Sequence, residues 1–106
     1  HTDQPVWRDP ETGFQRRSVS PAISGFRGSV IEGTLPAGAI ISYAAPPLPD
    51  LEHHLVLLSG ALTVTLGDTR HNLAPGDCLR FRLNTPNAYH ATGSEPARYL
   101  LTVITP

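Results

Sequence analysis

The fold is decided by residues 55–83, which read LVLLSGALTVTLGDTRHNLAPGDCLRFRL. Apolar residues alternate with Thr or Arg in two runs of this stretch, at Leu62, Val64 and Leu66 and at Leu79, Phe81 and Leu83. Because successive side chains of a strand point to opposite faces, this alternation indicates strands with one packed face and one wet face. Two turn signals divide the runs: Gly67-Asp68 suits a two-residue type II′ turn, and Pro75-Gly76-Asp77 marks a second turn that Asp77 is expected to cap.

Short segments of the same kind continue on both sides of this stretch. The chain has 11 Pro and 9 Gly in 106 residues, spread along its length, and no run of apolar residues keeps a helical spacing. Further strands are predicted at residues 6–8, 14–19, 29–35, 39–43, 55–58, 86–91 and 98–104, the first two joined into a hairpin by a longer loop. About nine or ten closely spaced strands predict an all-β protein, a sandwich or a small barrel.

The composition limits what this domain can do by itself. With 40% hydrophobic residues the chain can bury one core, and 106 residues are the length of a single domain. No apolar run is long enough to span a membrane, so we expect no membrane contact and a cytoplasmic location. The net charge of -1 gives no field that would attract nucleic-acid phosphates. Cys78 is the sole cysteine, which excludes an internal disulfide, and we expect it to be buried.

Between Glu52 and Val103 the chain resembles a cupin. The residues that carry the resemblance are a strand ending at Leu58-Ser59-Gly60, the Gly67-Asp68 hairpin, Leu73-Ala74-Pro75-Gly76-Asp77, Pro86 at the start of a strand, and the closing run 96–101. The resemblance implies a double-stranded β-helix, the jelly-roll barrel, with a pocket in its mouth. We expect residues 1–106 to form a single cupin domain, in which residues 1–20 are an N-terminal hairpin that joins a barrel of residues 21–106.

A second resemblance includes the residues before the barrel. Residues 6–13 and 19–21, with Leu35-Pro36-Ala37-Gly38 and residues 76–79, are similar to the cupin half of bacterial transcriptional regulators whose other half is a helix-turn-helix of the xenobiotic-response-element type. This resemblance implies a dimerisation domain that senses an unknown small-molecule effector. It also implies a helix-turn-helix domain upstream of His1, which this chain does not include. The protein would contact DNA only through that domain. An outward, partly apolar strand of the N-terminal hairpin is our candidate interface for a homodimer.

Active cupins hold an iron, manganese or similar ion with three His and a Glu, and the resemblance assigns those positions here. His53 stands at the Glu position and Asn87 at the last His position. The other positions are filled by Pro47 and Pro49, by Pro46 and Leu48, or by Ala44 and Pro46, depending on the alignment, with Ala91 at the final Asn position. One imidazole and one amide do not hold a divalent ion tightly. The resemblance therefore implies no bound metal and no cofactor.

A small-molecule site is predicted on the inward face of the barrel. The candidate ligand-binding residues are His53, Asn87, Tyr89, Phe81, Leu55 and Tyr43. Asn87 and Tyr89 share a face because the side-chain period of a strand is two, and an apolar wall with a few polar groups is typical of ligand pockets. The alternative is that these residues fill the barrel as core, with His53 a structural histidine. The remaining strand histidines, His54, His71 and His90, are expected at the surface.

Two other functions stay open from the sequence. One is a metal-dependent cupin enzyme, a dioxygenase, isomerase or epoxidase, which would need an ion that this chain has little means of holding. The other is a small cupin with a structural or carbohydrate-binding use. No catalytic residue is predicted, because Glu32, Asp50 and Glu52 lack the spacing of an acid–base pair. We expect Asn87→Leu or Tyr89→Ala to weaken ligand binding without loss of the fold.

Overall fold

The computed structural model describes residues 6–20, 25–44 and 49–105, which form ten strands. The strands are β1 (Val6–Arg8), β2 (Gln15–Ser20), β3 (Gly28–Leu35), β4 (Ile40–Tyr43), β5 (Leu51–Ser59), β6 (Leu62–Leu66), β7 (Thr69–Leu73), β8 (Cys78–Leu83), β9 (Asn87–Ala91) and β10 (Ala97–Ile104). Within these ranges no helix has the length and apolar character needed to cross a membrane. The all-β prediction is confirmed.

Two antiparallel sheets face each other, as in a jelly-roll barrel. The larger sheet has six strands in the order β1-β2-β3-β10-β5-β8, and the smaller has four in the order β4-β9-β6-β7. Strands that are distant in sequence lie side by side, since β10 pairs with both β3 and β5. This non-local pairing encloses one layered core and confirms the predicted cupin jelly roll.

The core lies between the sheets and is built from the inward phase of each strand. Along β5 the side chains of His53, Leu55 and Leu57 are buried, and those between them are less so. β6 contributes Leu62 and Val64 in the same way. Burying one such apolar side chain contributes about 1.5–3 kcal/mol. The alternation therefore fixes the strand register, because a slip by one residue would turn these side chains toward solvent.

The predicted turns of the barrel form as expected. Gly67 has a φ of 60°, and the pairing of Leu66 with Thr69 leaves a two-residue connection. Gly76 has a φ of 93°, which favours glycine. Beside it, Asp77 Oδ2 accepts a hydrogen bond of 2.9 Å from the Ala74 backbone amide. The capping role predicted for Asp77 is confirmed.

The N-terminal hairpin extends the larger sheet. Asp9 organises its loop, because its carboxylate accepts hydrogen bonds from the Thr12 hydroxyl (2.6 Å) and from the Glu11 amide (3.1 Å). These bonds lower the pKa of Asp9, with the hydroxyl bond as the largest cause. β2 pairs with β3, which leaves β1 as the outer strand of this sheet.

Two side chains differ from the sequence prediction. Cys78 is exposed, and the prediction of a buried cysteine is wrong. The reason is the phase of β8, since Leu79 points inward and its neighbour must then point outward. His71 is half-buried and pairs with the buried Val64. Because directly opposed residues share a face, His71 lies on the inward side of β7 and not on the outer surface.

Candidate functional site

A cavity of about 440 Å³ opens between the two sheets, at the end where β5 and β9 begin and β8 ends. Strands of both sheets contribute its walls. The lining residues are Phe14, Arg16, Ile31, Tyr43, Ala44, Leu51, His53, Leu83, Asn87, Tyr89, Tyr99, Leu101 and Val103. Most of this surface is carbon, interrupted by one imidazole, one amide, three phenols and one guanidinium group.

Four of the six predicted ligand-binding residues line this cavity, namely Tyr43, His53, Asn87 and Tyr89. Leu55 and Phe81 are not among the lining residues. Leu55 shares the inward phase of β5 but lies one pleat deeper, where it is fully buried in the core. Phe81 lies directly across from His53 on β8 and stacks on its ring, with centroids 5.0 Å apart. Phe81 therefore positions a lining residue.

His53 is the buried imidazole of the site, with 5% of its surface exposed. Its Nδ1 lies 3.1 Å from the Leu51 carbonyl oxygen. Because a carbonyl only accepts, this contact places the ring proton on Nδ1 and leaves Nε2 as an acceptor. Burial lowers the pKa of His53 below its ordinary value of 6.5 and outweighs the opposing effect of the Leu51 hydrogen bond. The ring is therefore neutral at neutral pH.

Aromatic rings form one side of the cavity. The rings of Tyr89 and Tyr99 are 6.1 Å apart and inclined by 10°, and those of Tyr99 and Phe14 are 6.4 Å apart and inclined by 14°. Tyr43 meets Tyr89 edge-on at 6.0 Å. The rings of Tyr89, Tyr99 and Phe14 are therefore stacked in a nearly parallel row, and two of them carry a phenolic hydroxyl.

Gly33 makes room for the central ring of this set. It pairs with Tyr99 across β3 and β10. A Cβ atom at Gly33 would lie 2.7 Å from the Tyr99 hydroxyl oxygen, closer than such contacts allow. The absent side chain is what allows the Tyr99 ring to lie across the strand.

The phenols of the site are neutral. Burial raises the pKa of Tyr89 and of Tyr99 far above the ordinary value of 10.0, and it also raises the pKa of Tyr43. In the described part of the chain the Tyr89 and Tyr99 hydroxyls form no hydrogen bond with another residue. Two donor–acceptor groups are thus available to a bound molecule.

Arg16 is the charged member of the described lining. Its guanidinium group lies 5.5 Å from the ring centroid of Trp7, its cross-strand partner on β1. Sequence analysis missed Arg16, Tyr99 and Phe14. The signal that could have revealed them is the pairing of β2, β3 and β10, which places Arg16 and Tyr99 on either side of Gly33. That pairing is non-local and leaves no local pattern in the sequence.

The described donors do not fit a divalent metal ion. Within residues 6–20, 25–44 and 49–105 no group of three or more His, Cys, Asp or Glu residues could hold one. The cavity offers one imidazole, an amide and neutral phenols, whereas these ions require several imidazole or carboxylate ligands. Of the positions that the cupin resemblance assigns to the paired His ligands, Pro46, Pro47 and Leu48 lie outside the described residues, and Ala44 and Pro49 have no side-chain donor atom.

The chain belongs to the cupin family, since residues 46–104 match the family described as Cupin domain. The fold is also shared with solved structures from regulators. The Cupin_2 domain of an XRE family transcriptional regulator from Enterobacter cloacae is 22% identical, with a TM-score of 0.81 over 88% of this chain and 97% of that chain. An HTH_3 family transcriptional regulator from Vibrio cholerae is 22% identical, with a TM-score of 0.83 over 93% of this chain and 56% of that chain. This chain thus spans little more than half of the second regulator.

An enzyme has the same fold as well. The polyketide cyclase RemF from Streptomyces resistomycificus is 18% identical, with a TM-score of 0.72 over 97% of this chain and 75% of that chain. No curated protein matches the chain by sequence. At these identities the structural likeness establishes the fold alone, and function has to be argued from the cavity.

Proposed function

We propose that this cupin domain binds a small organic molecule in its cavity and thereby regulates a helix-turn-helix domain of the same protein. The observation that carries the proposal is a cavity of about 440 Å³ with a wall of carbon, a few neutral polar groups and one guanidinium group. Small-molecule sites have this size and this chemistry, because apolar surface supplies the affinity and a few polar groups fix the orientation.

The chemistry of the lining supports binding rather than catalysis. His53 and the two buried phenols are neutral at neutral pH, so they can donate and accept hydrogen bonds. The described lining contains no carboxylate that could form an acid–base pair, and its donors do not suit a metal ion. These groups can orient a guest without activating it.

Both sheets line the cavity, so a bound ligand can affect how the two sheets are arranged relative to each other. His53 lies on the larger sheet, and Tyr43, Asn87 and Tyr89 lie on the smaller one. A ligand that contacts both sheets stabilises one of their relative arrangements over the others. The domain is then coupled to its neighbours through any surface that differs between those arrangements.

The two edges of the larger sheet differ, and this difference supports a homodimer through β1. The β8 edge carries the exposed arginines Arg80 and Arg82, and charged residues on an edge strand oppose pairing with another chain. The β1 edge exposes two large apolar side chains, Val6 and Trp7, at 61% and 49% of their surface, beside a single arginine, Arg8. Two β1 strands related by a two-fold axis would join the sheets of two copies.

A thermal-shift screen of organic metabolites against the purified chain tests the ligand-binding proposal. We expect at least one compound to raise the melting temperature in a concentration-dependent manner, since a ligand that binds only the folded state stabilises it. The screen is repeated after treatment with a chelator, and the shift should persist. A shift that requires added iron, manganese, nickel or zinc would favour a metal-dependent enzyme and contradict the proposal. The native gene sequence before His1 tests the regulatory part, which requires a helix-turn-helix domain there.

A further inference from the structure

The charge of the cavity lining limits the kind of molecule that the cavity can bind. Arg16 contributes a permanent positive charge, and none of the other described lining residues is an Asp or Glu. His53 is neutral, so it does not alter this balance. An anionic group on the ligand would therefore meet one cation and no carboxylate among the described lining residues.

The guanidinium group of Arg16 is positioned and has capacity for a partner. It is held over the Trp7 ring, at 5.5 Å from the ring centroid. Arg17 and Arg98 both pair with Glu32 on the outer side of the sheet, at 3.3 Å and 3.2 Å. In the described part of the chain Arg16 has no such carboxylate. A guanidinium group has five N–H donors, and two of them can bind the two oxygens of one carboxylate in a bidentate pair.

The aromatic wall lies next to this charge. Arg16 and Tyr99 lie on either side of Gly33, which has no side chain to separate them. Burial is the largest effect on the pKa of Tyr99 and of Tyr43; the charge of Arg16 lowers both pKa values, and the Asp9 carboxylate raises that of Tyr43. The cavity thus combines an aromatic wall with one cation, and an aromatic ring that carries a carboxylate matches both features.

We propose that the ligand of this site is a small aromatic carboxylate, whose ring lies against Tyr89, Tyr99 and Phe14 and whose carboxylate pairs with Arg16. This inference rests on the proposed ligand-binding function and specifies the chemical class of the ligand. Arg16 is the specificity-determining residue, since it separates an acid from a neutral compound of the same shape.

Calorimetry with 2-naphthoate and its neutral isostere 2-naphthamide tests the inference. We expect naphthoate to bind about tenfold more tightly than naphthamide, because a hydrogen bond to a charged group is the stronger kind. Arg16→Gln should remove this preference without weakening naphthamide, and Arg16→Lys should keep part of it. The matched control is Arg70→Gln on β7, which removes the same charge outside the cavity lining and should leave both affinities unchanged.

The single tryptophan locates the binding event. Trp7 is the sole tryptophan, so its indole N–H gives one resonance in a proton–nitrogen correlation spectrum. Naphthoate should shift this resonance in the unaltered chain and not in Arg16→Gln.

Equal affinity for the two probes would overturn the inference and leave the cavity as a binding site for neutral molecules. Binding of neither probe would also overturn it. The metabolite screen on the same protein then shows separately whether the proposed function fails too.

Discussion

At the level of single residues, the site is a largely carbon cavity with a few neutral polar side chains and one cation, Arg16. Asn87 is 5% exposed, and its side-chain amide donates a hydrogen bond to the Thr85 carbonyl at 3.3 Å. That bond uses one donor of the amide and leaves its carbonyl oxygen unpaired within the described residues. His53 likewise uses Nδ1 for the chain and keeps Nε2. Each residue thus uses one polar atom for a hydrogen bond within the chain and has a second polar atom without a partner among the described residues.

Asn87→Leu should weaken ligand binding by about tenfold, the effect of losing one hydrogen bond of about 1.4 kcal/mol. The change replaces a buried amide with an apolar group of similar size, so the free energy of unfolding should change by less than about 1.5 kcal/mol. Calorimetry with a ligand from the screen measures the first effect and chemical denaturation the second. The control is Asn72→Leu on β7, whose side chain is exposed. An unchanged affinity of Asn87→Leu would mean that the ligand lies elsewhere.

Tyr89 is too deeply buried to be replaced by a small residue without loss of stability. Tyr89 is 4% exposed and lies between Tyr43 and Tyr99. Removing such a ring costs about 3–5 kcal/mol, which a domain of this size does not tolerate easily. We therefore expect Tyr89→Ala to damage the fold, contrary to the expectation from the sequence. Tyr89→Phe, which removes the hydroxyl alone, is the better variant for testing ligand binding at this position.

His53 should make stability depend on pH. Its pKa in the folded protein lies below the ordinary value of 6.5, with burial as the largest cause. The unfolded chain then binds more protons in the interval between the two pKa values, so stability falls as the pH drops below about 6.5 and levels off below the folded pKa. The pKa of Glu52 is lowered from its ordinary value of 4.5, chiefly by its hydrogen bond to His54, so this carboxylate stays ionised above pH 5.

Melting temperatures between pH 7.5 and pH 5 measure this effect. His53→Phe preserves a ring to stack on Phe81 and should show a shallower loss of stability toward acid than the unaltered chain. His90→Gln serves as the control. Because His90 lies on the outward face of β9, this variant should keep the part of the pH dependence of stability that is due to His53. Parallel pH curves for the unaltered chain and His53→Phe would contradict the assigned neutral state.

At the scale of strands and turns, the sequence predicts well what depends on neighbours along the chain. The alternation in 62–66 and 79–83 and the turns at Gly67 and Gly76 are local, and all of them form. β5 extends further than its apolar run 55–58 indicates: it begins at Leu51 and includes His53 and His54, which the family resemblance had placed on a strand. Its first residues read Leu-Glu-His-His, a polar segment that becomes a strand by pairing with β10 and β8. Tertiary pairing outweighs intrinsic preference there.

Gly76→Val should destabilise the domain by about 1–3 kcal/mol, because a β-branched residue is strained at positive φ. The Gly76 φ is 93° and no atom lies within 4 Å of a Cβ placed there, so the effect isolates backbone strain from crowding. Gly28→Val is the matched control, since Gly28 has the same open surroundings without a positive φ. Denaturant unfolding compares the two variants, and equal stabilities would show that the turn can relax.

At the scale of the whole molecule, the site depends on which strands become neighbours. His53, Asn87, Tyr89 and Tyr43 could be predicted from strand phase and family resemblance. Arg16 and Tyr99 could not, because they meet only after β2 and β10 have both paired with β3. Leu55 has the correct phase but lies deeper in the barrel, and Phe81 lies level with His53 but stacks against its ring on the edge strand β8. The residues of the site that could not be predicted from the sequence are thus those brought together by pairing between strands that are distant along the chain.

A homodimer through β1 should appear in sedimentation as a species of twice the 11.4 kDa chain mass. Val6→Lys places a charge on the edge strand and should shift the equilibrium to the monomer, because edge lysines oppose strand pairing. Val6 pairs with Arg17 and not with Arg16, so the change spares the cavity rim. Ile40→Lys, at a residue 52% exposed on β4 of the other sheet, should leave the dimer intact. A monomeric unaltered chain would contradict this interface.

The outward position of Cys78 has a practical consequence. It is the sole thiol of the chain, and it lies on β8, at the edge of the larger sheet opposite the strand that carries the sole indole. A maleimide dye would therefore attach at one known point, and resonance energy transfer from the indole would measure the width of the six strands. A change in transfer efficiency as the hollow fills would reveal whether the sheet curls around its guest.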